Sequence, residues 1–172
     1  YAQAVFGPVV GYFYYTFKKH ADILRGLGYQ IPDSTITELE GLLKKNYNFE
    51  EAEDFVLAIK KISKKMILLT AGERGLQDKK IVGSGLAKYF DVIEIIEGGK
   101  SQKIFELADS ASKILFVNDN IQENIQIKKD LPNIILVGTK HKVRWPEDNY
   151  TDSDIPYFDN LTEVKNYVVQ FI

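Results

Sequence analysis

The stretch from Lys65 to Thr70, KMILLT, constrains the fold of this chain more than any other stretch. It has the pattern of a short apolar strand that stops at a hydroxyl residue, and Ala71-Gly72 then lead into a polar helical sequence. A strand followed at once by a helix is the repeating unit of a parallel α/β sheet. Because ligands of open α/β sheets bind at the carboxyl ends of the strands, Thr70 is predicted to lie at a ligand-binding edge.

Further strands and helices alternate after this point. Apolar runs of strand length are separated by amphipathic stretches of helical length, which indicates a parallel sheet with right-handed crossovers. The predicted strands are Met66–Thr70, Val92–Ile96, Ile114–Val117 and Ile134–Val137. The predicted helices are Arg74–Lys88, Gln102–Asp109, Ile121–Lys129 and a last helix capped by Asn160.

The chain before Lys65 is predicted to hold one strand and then a helical segment. Ala2 to Val10 is apolar and β-branched, and it is predicted to be the first strand of the core although Pro8 removes a backbone donor. From Phe17 to Ser63 the apolar residues recur at helical spacing. Asn48, followed three residues later by Glu51, resembles a capping box and predicts the start of the third helix.

Polar side chains follow the ends of several predicted elements. Thr70 ends one strand, Lys100 starts a helix after Gly98-Gly99, and Asp119 follows the strand that ends at Val117, with Glu123 four residues further on. Carboxyl ends of parallel strands meet at one edge of a sheet. A hydroxyl, a lysine and carboxylates at this edge predict a phosphate and metal site.

These residues resemble the core of the haloacid dehalogenase-like (HAD) superfamily. The similarity extends from about Tyr12 to the end of the chain, and three of the four family motifs are present, namely Thr70, Lys100 and the acidic pair Asp119 and Glu123. The resemblance implies a Rossmann-like three-layer α/β fold with a parallel sheet. Its core would comprise residues 1–16 and 64–172, and residues 17–63 would form a small helical cap.

The resemblance also implies roles for the strand-end residues. In the family, a magnesium ion and a lysine absorb the charge that develops during phosphoryl transfer. By this resemblance, phosphate would be bound by Thr70, Ala71, Gly72 and Lys100, and Mg²⁺ would be bound by Asp119 and Glu123.

The family's first motif, DxDxT, is missing. Its first aspartate attacks phosphorus and its second acts as general acid and base. In one register Pro8 and Val10 occupy these two positions, and in the other register Gly7 and Val9 occupy them. The first acidic residue of the chain is Asp22, inside the first predicted helix. The expectation is therefore a pseudoenzyme in which hydrolysis is lost or weak, and in which Mg²⁺ binding is weakened.

Each matched residue also has an ordinary structural interpretation. Asp119 fits a turn or a helix cap, and Glu123 fits a solvated first-turn glutamate. The Thr70 hydroxyl fits a group that satisfies strand-end backbone, and Lys100 fits an exposed lysine. Sequence alone leaves these alternatives open.

Two functions of different classes remain at this point. The first is a non-catalytic or weakly active domain that binds a small phosphorylated ligand or a partner protein. The alternative is an active Mg²⁺-dependent phosphatase or related hydrolase that acts on a small phosphorylated substrate.

The net charge of −2 gives no basic footprint for nucleic acid. No apolar run is long enough for a membrane span, and with no cysteine in the chain a cytoplasmic location is expected.

Overall fold

The computed structural model describes residues 15–108, 113–140, 150 and 154–171. The described chain divides into two compact units. The first unit takes in the residues up to Phe49 and Ser63–Gly98, and the second takes in Glu50–Ile62 and the residues from Gly99 onward. The predicted first strand and the positions of the missing motif lie outside the described residues.

The helices and strands follow one another along the chain in this order: α1 Phe17–Gly26, α2 Asp33–Leu42, α3 Ala52–Ile62, β1 Ile67–Ala71, α4 Arg74–Ser84, β2 Val92–Ile96, α5 Lys100–Leu107, β3 Leu115–Asn118, α6 Ile121–Asp130, β4 Ile135–Thr139, β5 Tyr157–Phe158 and α7 Leu161–Val168. Two short 3-10 helices lie in the described chain, Ala87–Tyr89 between α4 and β2 and Val169–Phe171 after α7. In the first unit β1 pairs with β2, and in the second the strand order is β3-β4-β5. All these pairings are parallel.

Side-chain caps define several of the helix starts. The Asn120 side chain accepts a hydrogen bond from Glu123 N at the start of α6, and Asn160 accepts one from Glu163 N at the start of α7. The prediction that Asn160 caps the last helix is confirmed. The prediction that Asn48 caps α3 is wrong, because α3 begins at Ala52, four positions later. The Asn48 side-chain amide donates to the Ser84 carbonyl oxygen.

The end of α4 differs from the sequence-based prediction. Its helical pattern was expected to continue to Lys88, whereas α4 ends at Ser84. Gly85 has a φ of 67°, a left-handed conformation that terminates a helix and that glycine adopts without steric cost. The pattern of apolar residues carries on into the short 3-10 helix that follows.

The core of the second unit lies between its sheet and α7. Val137 of β4 and Val164 of α7 are fully buried, and Val168 is 1% exposed. Phe55 and Ile59 of α3 pack against this cluster. The buried helix and strand faces thus hold α3, β4 and α7 together through apolar contact.

The predicted α/β fold with parallel strands is confirmed by these pairings. The predicted boundaries between a core and a cap stay a prediction. In the described parts of the chain, no helix combines the length and the apolar character that crossing a bilayer requires.

Candidate functional site

A polar cluster in the second unit joins the start of α5 to the end of β3. The Lys100 ammonium donates to Glu123 Oε2 at 2.8 Å and to Asn118 Oδ1 at 3.1 Å. The Asn118 amide in turn donates to Glu123 Oε2 at 3.2 Å. Lys100, Asn118 and Glu123 therefore form a closed triangle of hydrogen bonds, which we call the Lys100 cluster.

The Lys100 cluster is partly shielded from solvent. The Lys100 side chain is 10% exposed and that of Glu123 is 27% exposed. The ammonium also lies 5.9 Å from the centroid of the Phe116 ring, within the range of a cation–π contact. A partly buried ion pair is stabilising only when its remaining polar atoms are also hydrogen-bonded. Asn118 supplies such hydrogen bonds to both Lys100 and Glu123. The positive charge of Lys100 is thus balanced within the protein.

Asn124 is hydrogen-bonded to Asn118 of the Lys100 cluster. This residue of α6 is fully buried, with 0% exposure. It accepts a hydrogen bond from Asn118 Nδ2 at 2.9 Å, and its own amide donates to the Asn118 carbonyl oxygen at 3.2 Å and to the Tyr157 hydroxyl at 3.1 Å. These bonds orient the Asn118 side chain, because its amide nitrogen must face Asn124 and Glu123.

Asp119 follows β3 directly and is intermediate in exposure. Across the ranges that the structure describes, no three histidine, cysteine or acidic side chains come together as a metal site. Magnesium requires near-octahedral oxygen ligation, usually with one or two carboxylates. Of the predicted pair, Glu123 is already bonded to Lys100 and Asn118. The two carboxylates alone therefore fit Mg²⁺ poorly.

The strand end at Thr70 lies in the first unit. The Thr70 hydroxyl donates to Gln77 Oε1 at 3.2 Å, and Gln77 Nε2 donates to the Ala71 carbonyl oxygen at 3.3 Å. Gly72 has a φ of 145°, and a Cβ at this position would stand 2.6 Å from Gln77 Nε2. Gly72 is therefore favoured for its backbone conformation, and a side chain there would also displace the Gln77 amide.

Of the predicted site residues, the structure brings Lys100 and Glu123 into contact. Thr70, Ala71 and Gly72 belong to the first unit, and their predicted role in phosphate binding stays a prediction. Sequence reasoning missed Asn118 and Asn124. Asn124 could have been found from the sequence, because it occupies a position on the same face of α6 as the buried Ile121 and Ile127.

The fold was compared with solved structures. The chain superimposes on L-2-haloacid dehalogenase from Xanthobacter autotrophicus, determined with chloropropionic acid covalently bound, with a TM-score of 0.65. The match covers 90% of this chain and 74% of that chain, at 13% sequence identity. The chain has the haloacid dehalogenase-like fold. The predicted Rossmann-like three-layer architecture and the resemblance in fold are thereby confirmed.

Two hydrolases with the HAD-like fold also match. The putative HAD-hydrolase YfnB from Bacillus subtilis, bound to magnesium, has a TM-score of 0.59 and 18% identity, over 90% of this chain and 70% of that chain. A HAD-superfamily hydrolase from Ehrlichia chaffeensis has a TM-score of 0.50 and 19% identity, over 87% and 85% of the two chains. No protein-family profile and no curated protein sequence matches the chain.

Proposed function

We propose that this protein is a non-catalytic HAD-like domain that binds a small phosphorylated ligand without hydrolysing it. The observation that carries the proposal is that the stretch matching the family's first motif holds no aspartate in either register. The residues aligned with the two motif aspartates are Pro8 and Val10, or Gly7 and Val9 in the other register. None of these side chains has a group that can attack phosphorus or accept a proton.

The Lys100 cluster supports a binding role. Its ammonium is the group that would contact a ligand phosphate, as the family resemblance implies. The same ammonium already has two partners, Glu123 and Asn118. A phosphate would therefore compete with the Glu123 carboxylate, and like charges close together repel each other. The proposal predicts weak binding that becomes stronger when the charge of Glu123 is removed.

Hydrolysis is tested first, with para-nitrophenyl phosphate and Mg²⁺. The expected rate of the wild-type protein equals that of Lys100→Ala, since loss of a catalytic nucleophile typically removes several orders of magnitude in rate. Turnover that Asp119→Asn abolishes would overturn the proposal and would favour the Mg²⁺-dependent phosphatase.

Binding is tested by isothermal titration with phenyl phosphate. Glu123→Gln is expected to tighten the dissociation constant by about tenfold, which corresponds to about 1.4 kcal/mol, and Lys100→Met is expected to abolish binding. Glu106→Gln is the matched control, because the Glu106 side chain is 48% exposed and pairs with Lys103 of α5 instead of Lys100. The Glu106→Gln variant should bind phenyl phosphate with the affinity of the wild type. Equal affinity in wild type, Glu123→Gln and Lys100→Met would show that phosphate binding does not use the Lys100 cluster.

A further inference from the structure

The segment that joins α2 to α3 exposes two aromatic side chains to solvent. Tyr47 is 68% exposed and Phe49 is 73% exposed, and Val82, close to the end of α4, is 74% exposed. The free energy of a large apolar side chain falls when it leaves water. Several such side chains exposed in one place are therefore typical of an interaction surface. We call residues 44–49 the strap.

The strap is held on the end of α4. The Asn48 side-chain amide donates to the Ser84 carbonyl oxygen at 2.6 Å, and the Asn48 backbone N–H group donates to Asn46 Oδ1 at 2.9 Å. A Cβ at Gly83 would overlap the carbonyl oxygen of Leu43, so the backbone just before the strap lies directly against α4. The strap is thus fixed to the helix by hydrogen bonding and by close packing.

This attachment orders the aromatic side chains before any partner binds. Asn48 points to α4, whereas Tyr47 and Phe49 on either side of it are exposed. Binding costs less conformational entropy when the contacting segment is already held in place. Aromatic side chains are also the commonest centres of binding energy in protein interfaces. The strap therefore offers two ordered aromatic anchors.

The charges on the two sides of these anchors are opposite. Residues 44–51 read KKNYNFEE, with Lys44 and Lys45 before the aromatic residues and Glu50 and Glu51 after them. None of these four side chains forms an ion pair with another residue that the structure describes. If two copies of this stretch run antiparallel, the lysines of each copy lie opposite the glutamates of the other. A parallel arrangement would place like charges opposite each other, so the stretch is complementary to itself when antiparallel.

We propose that the strap binds a second copy of this chain, in a two-fold symmetric dimer whose straps run antiparallel. Tyr47 and Phe49 form the apolar centre of the interface, and Val82 lies at its edge. Lys45 pairs with Glu50 of the second copy, and the two-fold axis makes each pairing occur twice. Self-complementary charge favours a second copy over an unrelated protein as the partner. The proposal goes beyond the proposed function and does not involve the Lys100 cluster.

Sedimentation velocity of the full chain tests whether the dimer forms through the aromatic anchors. An interface of so few side chains is expected to have a dissociation constant on the order of 100 µM, so chain concentrations up to about 1 mM are used. Tyr47→Ser and Phe49→Ser are each expected to weaken dimerisation at least about tenfold, because each anchor is lost twice. Phe105→Ser is the matched control, since Phe105 of α5 is 71% exposed and lies outside the strap. Its dissociation constant should equal that of the wild type.

Charge reversal tests the antiparallel orientation. Lys45→Glu alone and Glu50→Lys alone each place like charges opposite each other twice, and each is expected to weaken dimerisation about tenfold. An equimolar mixture of these two variants should dimerise like the wild type, because opposite charges face each other again in the mixed dimer. The double variant that carries both substitutions should also dimerise like the wild type. Lys64→Glu changes an exposed lysine of the first unit outside the strap and should have no effect.

Three results contradict the proposal. They are a monomer at every concentration, a dimer that Tyr47→Ser and Phe49→Ser leave unchanged, and no recovery of dimerisation in the mixture or in the double variant. Lys100→Met is expected to leave dimerisation unchanged, and Phe49→Ser is expected to leave the affinity for phenyl phosphate unchanged. A failure of this inference is therefore distinguishable from a failure of the phosphate-binding proposal.

Discussion

Replacing Asn124 by leucine tests whether one buried amide holds the end of β3 in position. Asn124 is fully buried and makes three hydrogen bonds, two with Asn118 and one with the Tyr157 hydroxyl. Leucine has a similar volume but forms none of them. Each intramolecular hydrogen bond contributes about 1 kcal/mol net, so the expected loss in free energy of unfolding is about 3 kcal/mol.

Urea denaturation followed by circular dichroism measures this loss. In a protein of this size about 3 kcal/mol corresponds to a fall in Tm of about 6–12 °C. Tyr157→Phe removes one of the three bonds and is expected to cost about 1 kcal/mol. In a double-mutant cycle the two changes should not be additive, because both remove the same bond between Asn124 and Tyr157.

Gln122→Leu is the matched control on the same helix. It also replaces an amide by leucine, but Gln122 is exposed, and the free energy of unfolding should stay within about 0.5 kcal/mol of the wild type. If Asn124→Leu were as stable as Gln122→Leu, the hydrogen bonds of the buried amide would not stabilise the second unit. The orientation assigned to Asn118 would then lose its physical basis.

Three further predictions concern packing and pH in the second unit. Gly138→Ala should cost about 2 kcal/mol in urea unfolding, because a Cβ there would overlap the Tyr157 ring and force it to move. Val164→Ala, at a fully buried position, should also cost about 2 kcal/mol by the same measurement, since it leaves a small cavity in the core. The hydrogen bond and charge of the Lys165 ammonium lower the pKa of Asp54 from 3.8, so this pair stabilises the folded protein above that pH and the stabilisation is lost as pH falls. Lys165→Met should therefore lower Tm slightly at pH 7, and this difference from the wild type should shrink as the pH falls below 3.8 through the lowered pKa of Asp54 in the folded protein.

Sequence patterns predicted those helix and strand features that depend only on residues close together in the chain. The strand Val92–Ile96 has the bounds that its β-branched run predicts, and Asn160 caps the last helix as its spacing from Glu163 indicates. Both features depend on residues within a few positions of one another. Such patterns carry over from sequence to structure because the contacts that they describe are made within one element.

Contacts between elements escaped the sequence reasoning. Asn48 had the spacing of a cap, but its amide bonds to the Ser84 carbonyl oxygen, 36 positions away. Lys100 was predicted as a phosphate ligand, and the structure adds that its charge is already balanced by Glu123. The sequence carries no signal for either partner, because each pairing depends on which helix and strand ends are brought together.

The chain by itself therefore determined the alternation of strands and helices, the resemblance to the HAD superfamily and the lack of aspartate in the stretch that matches the family's first motif. Those properties depend on residue type and spacing alone. The tertiary structure decided that Asn118 and the buried Asn124 hold Glu123 against Lys100. The physical reason is that burial and pairing set the energy of a charge, and both arise only when distant segments pack together.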